Sequence, residues 1–161
     1  MGNDRMRVGI GYDVHRLKNG LALVIGGVRI PFEKGLLGHS DADVLTHAIC
    51  DAVLGAAGLG DIGLHFPDTD TAWRDARSLE LLQRVVDMAR RKEMHVVNID
   101  ATVMAEAPKM SPFRQEMVTN IASAASLDPG RVNIKATTTE GLGWIGRGEG
   151  VGAMAIALLI S

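Results

Sequence analysis

Cysteine is nearly missing from this chain. Cys50 is the single one, so no disulfide can form within the chain, and its small neighbours mark it as a packing residue rather than a nucleophile. Aromatic residues are scarce, at 4%, so a core has to be built from Val, Ile, Leu, Ala and Met. Neither sign of charge dominates: 17 Lys and Arg stand against 19 Asp and Glu, a net charge of −2, which argues against nucleic acid as the main partner. No apolar run approaches the ~20 residues of a membrane-spanning helix. The most apolar stretch, 151–160, is interrupted by Gly152. The first residues, Met1 to Arg5, hold no apolar segment of signal-peptide length. The expectation is a cytoplasmic protein with no membrane partner.

What is present is ordinary globular material. A length of 161 residues with 47% hydrophobic and 22% charged residues suits one domain, 1–161, with its own core. Residues 7–14 read as a strand with Gly9 and Gly11 inside it, a mark of close backbone approach. Short strands at 21–25 and 28–30 flank the turn pair Gly26-Gly27, and 31–37 reads as a loop. A helix follows and ends near Gly55 or Gly58. Residues 60–70 are too rich in Gly, Asp and Pro for regular structure. A helix at 78–92, an alternating strand at 96–105, a helix at 112–126, a strand at 132–138, a glycine-punctuated loop and a final strand at 151–160 complete the chain. The order β-β-β-α-α-β-α-β-β suggests an α/β fold (α+β-like): a mixed sheet with helices packed on one face. The apolar last strand reads as covered on both faces, a covering that another subunit can supply.

The chain is organised around residues 38–55. Ser40 followed by Asp43 resembles a capping box, so the helix is expected to start at Ser40. His39, Asp43, His47 and Asp51 then share one flank at four-residue spacing, beside an apolar stripe that includes Val44, Ala48 and Ala52. In an extended segment Asp13 and His15 point the same way and can grip one ion, and His47 can add a third donor. Two histidines and one carboxylate with an open position form a catalytic-type zinc arrangement, with Asp43 or Asp51 orienting His47 from behind. Spacing alone favours ordinary hydrogen-bonded histidines, because D-x-H is common and nothing in the spacing brings His47 near it. A helix start at His39-Ser40 suits phosphate oxygens. Thr137, Thr138, Thr139 and Glu140 offer hydroxyls and a hard-metal ligand. Arg147, in a loop of glycines without a Walker pattern, can meet a phosphate. Residues 105–110 form a loop at a strand end, a common place for a ligand.

Several of these segments together resemble one family, the 2-C-methyl-D-erythritol 2,4-cyclodiphosphate synthases of the non-mevalonate isoprenoid pathway. The matching stretches are Gly11-Tyr12-Asp13-Val14-His15, Gly26-Gly27-Val28-Arg29-Ile30-Pro31, His39-Ser40-Asp41-Ala42-Asp43, Leu59-Gly60-Asp61-Ile62-Gly63, Phe66-Pro67-Asp68-Thr69-Asp70, Ala107-Pro108-Lys109-Met110 and Lys135-Ala136-Thr137-Thr138-Thr139-Glu140, continuing through Gly146-Arg147-Gly148-Glu149-Gly150. They span nearly the whole chain in the family's order. The resemblance implies that 4-diphosphocytidyl-2-C-methyl-D-erythritol 2-phosphate is cyclised with loss of CMP, by attack of the 2-phosphate on the β-phosphorus. It implies Zn2+ on Asp13, His15 and His47, and a second cation, Mg2+ or Mn2+, on Glu140. His39 and Ser40 would contact the attacking phosphate end, with His39 aligning it, and Thr138 would polarise the diphosphate.

By the same resemblance Asp61, Ile62 and Gly63 meet the methylerythritol part, and Phe66, Pro67, Asp68, Thr69 and Asp70 form a flanking mobile loop. Ala105, Glu106, Ala107, Pro108, Lys109, Met110 and Ser111, with Thr137, form the cytidine side, and Thr139, Trp144 and Arg147 are further expected substrate contacts. Arg147 and Glu149 match the family's trimer axis, where an isoprenoid diphosphate can sit. The family is a homotrimer with active sites between subunits. Ser111, Gly141 and Trp144 depart from the commonest family residues. The end at Ser161 carries the expectation of no fused second enzyme. Two other readings stand beside this one: a zinc-dependent hydrolase of another phosphate ester, and a non-enzymatic trimer that binds metal or an isoprenoid.

Overall fold

The structure, a computed structural model, describes residues 5–38, 40–67, 69–73 and 76–161. Among these, the strands are β1 (Met6–Asn19), β2 (Leu23–Ile25), β3 (Val28–Ile30), β4 (Lys34–Leu36), β5 (His95–Met104), β6 (Val132–Thr137) and β7 (Gly150–Ile160). The helices are α1 (Val44–Ala57), α2 (Ile62–His65), α3 (Ser78–Arg90), α4 (Arg114–Ala125) and α5 (Gly143–Gly146). The main sheet runs β4-β1-β7-β5-β6, and β2 and β3 form a separate hairpin. Only the β5–β6 pairing in that sheet is parallel; β1–β4, β1–β7 and β5–β7 are antiparallel. The sheet is therefore mixed, as expected, with the helices on one face.

Alternation in β1 decides what that face carries. Odd-numbered residues turn toward the helices and even-numbered ones away. Gly9 and Gly11 are buried, whereas Val8, Ile10 and Tyr12 are exposed. The glycines are needed there. A Cβ on Gly9 would lie 2.0 Å from the Ala52 carbonyl oxygen, and one on Gly11 would lie 1.8 Å from that of Ala48. Helix α1 rests directly on the strand backbone, its small residues Ala48 and Ala52 meeting the glycines. Its other contacts fill the core: Leu45, Ile49 and Val53 are fully buried with Leu82, Ile99, Met117, Ile121 and Leu159.

Four local expectations are corrected. The 31–37 loop contains β4, which pairs with the far end of β1 from Leu17 to Asn19. The 60–70 stretch contains α2, and the glycine-punctuated loop, expected at 140–150, contains α5. Helix α1 begins after Asp43, not at Ser40. Asp43 is a buried N-cap that accepts from the Thr46 N–H (3.0 Å) and hydroxyl (2.8 Å). It also accepts from the Gly26 (2.9 Å) and Gly27 (2.7 Å) amides of the β2–β3 turn. Both turn glycines have φ > 0, at 58° and 71°, as a two-residue hairpin requires. Strand β7 is buried on its helix side at Ala153, Ala155 and Ala157, but Met154 and Ile156 on the other face are exposed, which leaves the expected covering to another subunit. One chain by itself does not cover both faces of that strand.

Candidate active site and its metal triad

The close seating of α1 on β1 builds the site. Asp13 and His15 continue the face that begins with Gly9 and Gly11, and His47 precedes Ala48 in the first turn of the helix. Their donor atoms converge. Asp13 Oδ2 lies 2.9 Å from His15 Nε2 and 3.1 Å from His47 Nδ1, and the two ring nitrogens are 3.3 Å apart. Ligand bonds of about 2.0–2.1 Å at tetrahedral angles place ligand atoms roughly 3.3 Å from one another. The triangle is therefore close to the size that one metal ion needs.

The outer nitrogens show why a cation belongs there. His15 Nδ1 lies 2.9 Å from the Leu37 carbonyl oxygen, an obligate acceptor, so the ring proton is held on Nδ1 and Nε2 turns a lone pair inward. His47 Nε2 lies 2.9 Å from Ser78 Oγ and 3.2 Å from Ser40 Oγ. With both ring protons outside, three lone-pair atoms face one another at 2.9–3.3 Å, an arrangement that is stable only around a positive charge. Without a metal, a proton takes that place. Burial alone would lower the His15 pKa, but the hydrogen bond and charge of Asp13, helped by the Leu37 carbonyl, raise it above its ordinary value. Burial alone would raise Asp13, yet hydrogen bonds and positive charge from His15 and His47 hold it well below the usual carboxylate range.

The triad forms one wall of a cleft also lined by Ser40, Ile62, Gly63, Phe66, Asp70 and Trp73. Ile62, Gly63, Phe66 and Asp70 thus stand in the same cleft as the triad. Asp61 does not line this cleft; its carboxylate caps α2 by accepting from the Leu64 amide at 2.9 Å. Pro67 and Thr69 are also outside the lining, and His39 and Asp68 lie outside the described residues. Asp43 and Asp51 do not orient His47. Asp43 is consumed by the helix cap, and Asp51 accepts from the Ile62 amide at 2.7 Å, fastening α2 to α1. Burial raises the pKa of both carboxyls, despite the amides that they accept from. Ser40 keeps a place beside His47 but not as the helix cap.

The sequence reading missed Trp73, Asp41 and Ser78. Trp73 stands edge-on to Phe66, with ring centroids 5.0 Å apart, and Arg84 lies over it at 5.1 Å. Only its aromatic character in a polar stretch could have drawn notice. Asp41 was in view as part of a motif, and Ser78 as the first residue of a helix, but neither carried a signal of contact with the other.

The residues assigned to the cytidine side gather elsewhere, at the ends of β5 and β6. Glu106 accepts from the Thr139 amide (2.7 Å) and hydroxyl (3.1 Å) and from the Gly141 amide (3.3 Å). The Thr139 amide is the main cause of its lowered pKa. The Thr138 hydroxyl donates to Glu140 at 3.2 Å, and Glu140 sits at φ 54°. Met110 is buried, Ala107-Pro108 is cis, and Arg147 pairs with Glu149 at 2.6 Å on the surface. None of these residues lines the triad's cleft.

Fold and site together define an α/β protein with a two-histidine, one-carboxylate centre on the wall of a cleft. Known proteins narrow that class. The family model described as the YgbB family matches residues 6–160. The 2-C-methyl-D-erythritol 2,4-cyclodiphosphate synthase of Desulfatibacillum aliphaticivorans is 60% identical over 154 residues, covering 96% of this chain and 99% of that protein. Among solved structures, the bifunctional IspDF of Campylobacter jejuni matches with a TM-score of 0.94 and 46% identity, over 98% of this chain and 43% of that one. The CDP complex of IspF from Plasmodium falciparum matches with a TM-score of 0.84 and 34% identity, over 96% of both chains. The chain belongs to the YgbB family, the family of the 2-C-methyl-D-erythritol 2,4-cyclodiphosphate synthases. The resemblance read from the sequence is borne out.

Proposed function

We propose that this chain converts 4-diphosphocytidyl-2-C-methyl-D-erythritol 2-phosphate to 2-C-methyl-D-erythritol 2,4-cyclodiphosphate and CMP, in the non-mevalonate isoprenoid pathway. A 2-phosphate oxygen forms a bond to the β-phosphorus. The bond from that phosphorus to the bridging oxygen breaks, and CMP leaves with the electron pair. No water enters the product. The observation that carries this reading is the triad itself, Asp13, His15 and His47 converging on one point, in a chain so similar over its length to enzymes of this name.

Asp13, His15 and His47 hold Zn2+ in this reading, and Glu140 serves a second divalent ion, Mg2+ or Mn2+. Such ions, when bound, supply positive charge to the phosphate oxygens. The protein's own work is positioning, which can remove several kcal/mol from the barrier of an in-line transfer. Ser40 and His39 meet the attacking phosphate end, and His39 aligns it. Ile62, Gly63, Phe66 and Asp70, which line the triad's cleft, meet the methylerythritol part. Residues 105–111 with Thr137 receive the cytidine, and Thr138 polarises the diphosphate. The relative solved with CDP supports a cytidine nucleotide as ligand.

The chain works as a homotrimer in this reading, with each active site between subunits. Two observations support it. The triad's cleft and the 105–111 loop do not share one pocket within a chain. The sheet face away from the helices leaves Met6, Val8, Ile10, Tyr12, Val14, Met154 and Ile156 exposed, a contiguous apolar patch of the kind that marks an interface. Among the described residues no helix is long and apolar enough to cross a membrane. The test is CMP release from the substrate by purified protein with zinc and magnesium. The expected result is turnover that chelation abolishes and that His47→Ala reduces by at least about a hundredfold, about 2.7 kcal/mol of barrier. Turnover no faster than buffer, or unaffected by chelation, contradicts the reading.

A further inference from the structure

We propose that Asp41 and Ser78 are positioning residues that lock the tautomer and ring orientation of His47. The inference rests on the reading that Asp13, His15 and His47 hold a metal ion. Ser78 is the first residue of α3 and is fully buried. Its hydroxyl donates to Asp41 Oδ1, and its amide donates to Asp41 Oδ2 at 3.0 Å. The single hydroxyl proton is thereby committed to the carboxylate. Ser78 Oγ can then only accept from His47 Nε2, 2.9 Å away. That places the ring proton on Nε2 and leaves the Nδ1 lone pair facing Asp13 and His15. A carboxylate that fixes a hydroxyl, which in turn fixes an imidazole, extends the usual outer support of a metal-ligating histidine by one link.

Two serines touch the same ring nitrogen, and their surroundings divide the work. Ser78 is pinned at both its amide and its hydroxyl by one carboxylate. Ser40 lies farther from the ring nitrogen, at 3.2 Å, and its oxygen also accepts from the nearby Ala42 amide at 3.2 Å. No acceptor holds its proton among the described residues. Ser40 is therefore free to turn its hydroxyl toward a ligand in the cleft without releasing His47, because Ser78 keeps the Nε2 proton. The contact also joins the metal wall to the start of α3, the helix that follows Phe66, Asp70 and Trp73 of the cleft.

The test is zinc affinity by competition with a chromophoric chelator, together with the His47 tautomer from long-range imidazole proton–nitrogen NMR of the metal-free protein. Wild type should show the Nε2–H form. Ser78→Ala should weaken zinc binding by about 10–100-fold and mix the tautomers. Asp41→Asn keeps an oxygen for the Ser78 amide but turns an N–H2 toward the hydroxyl, so it should weaken binding by a similar factor while leaving α3 capped. Because Asp41 acts through Ser78, the double variant should lose no more than Ser78→Ala alone. Ser40→Ala should change zinc affinity less than about threefold. Wild-type zinc affinity in both Ser78→Ala and Asp41→Asn, or additive losses in the double variant, would overturn the proposal. A wild type that binds no zinc would overturn the metal reading of the triad instead, and an unchanged Nε2–H signal in Ser78→Ala would overturn the positioning role by itself.

Discussion

Gly11 meets the backbone of Ala48 so closely that a Cβ on it would sit 1.8 Å from the Ala48 carbonyl oxygen. Ala48 follows His47, and Gly11 lies two residues before Asp13 on the same face of β1. The distance between strand and helix, and hence between the carboxylate and the imidazole, is set by the absence of one side chain. Gly11→Ala should force α1 away from the sheet. Overpacking of this kind costs about 1–3 kcal/mol, and here the same displacement opens the triad. Urea unfolding and zinc titration should both worsen; a variant with wild-type values in both would show that the seating does not set the site.

Asp43 holds the hairpin turn and the helix start at once. Asp43→Ala removes the cap, worth about 1 kcal/mol, and strands the Gly26 and Gly27 amides, at about 1–3 kcal/mol for each buried donor left unpaired. Denaturant unfolding should show a loss of roughly 3–7 kcal/mol. Zinc affinity at temperatures where the variant is folded should stay within a few-fold of wild type, because the Asp43 carboxylate does not touch the His47 ring and its backbone carbonyl, which accepts from the His47 amide at 3.0 Å, is kept. A large loss of zinc affinity in the folded variant would restore the role in orienting His47 that spacing suggested.

That contrast marks how far the sequence could be read. Gly9 and Gly11 announced close packing, and it is there. The alternation of β1 placed Asp13 and His15 on one face, and the structure keeps them so. The Ser40–Asp43 pair imitated a capping box, but Asp43 is captured by Gly26 and Gly27, donors 16 and 17 residues away, and the helix begins after it. Asp51 stood one turn from His47 and was captured by Ile62. β4 escaped notice because three residues after a proline carry no periodicity. Ser78 and Asp41 meet across 37 residues, and nothing in local spacing encodes that.

Protons and metal compete for the triad, so pH separates them. His15 has a folded pKa raised above its ordinary 6.5. Its stabilising contribution to the metal-free protein is complete below that ordinary value and is lost as pH rises through the raised one. Asp13 is depressed below its ordinary 3.8, so its contribution is present above that value and is lost as pH falls through the folded one. The metal-free pair is thus strongest in mildly acidic solution. Zinc needs His15 neutral, so its binding releases a proton and strengthens with pH. The rise in melting temperature on adding zinc should be larger at pH 8 than at pH 5.5; an equal or reversed rise would contradict this competition.

The exposed sheet face makes its own prediction. Ile10 is 63% exposed in one chain, and a charge there costs an isolated chain little. In a trimer built on this face it would be buried without a partner. Wild type should sediment at three times the 17.2 kDa chain mass, and Ile10→Glu should sediment as a folded monomer with a normal far-ultraviolet spectrum. A wild-type monomer, or an Ile10→Glu trimer, would place the interface elsewhere or remove it.

In the proposed function, Asp13, His15 and His47 serve an internal phosphoryl transfer rather than a hydrolysis. Mass spectrometry of the product formed by purified protein with zinc and magnesium tests it directly, most cleanly in water enriched in 18O. The expected product is a cyclic diphosphate with no added water and no label, formed in equal amount with CMP. A linear product heavier by one labelled water would show instead that the triad activates water, and would contradict the account.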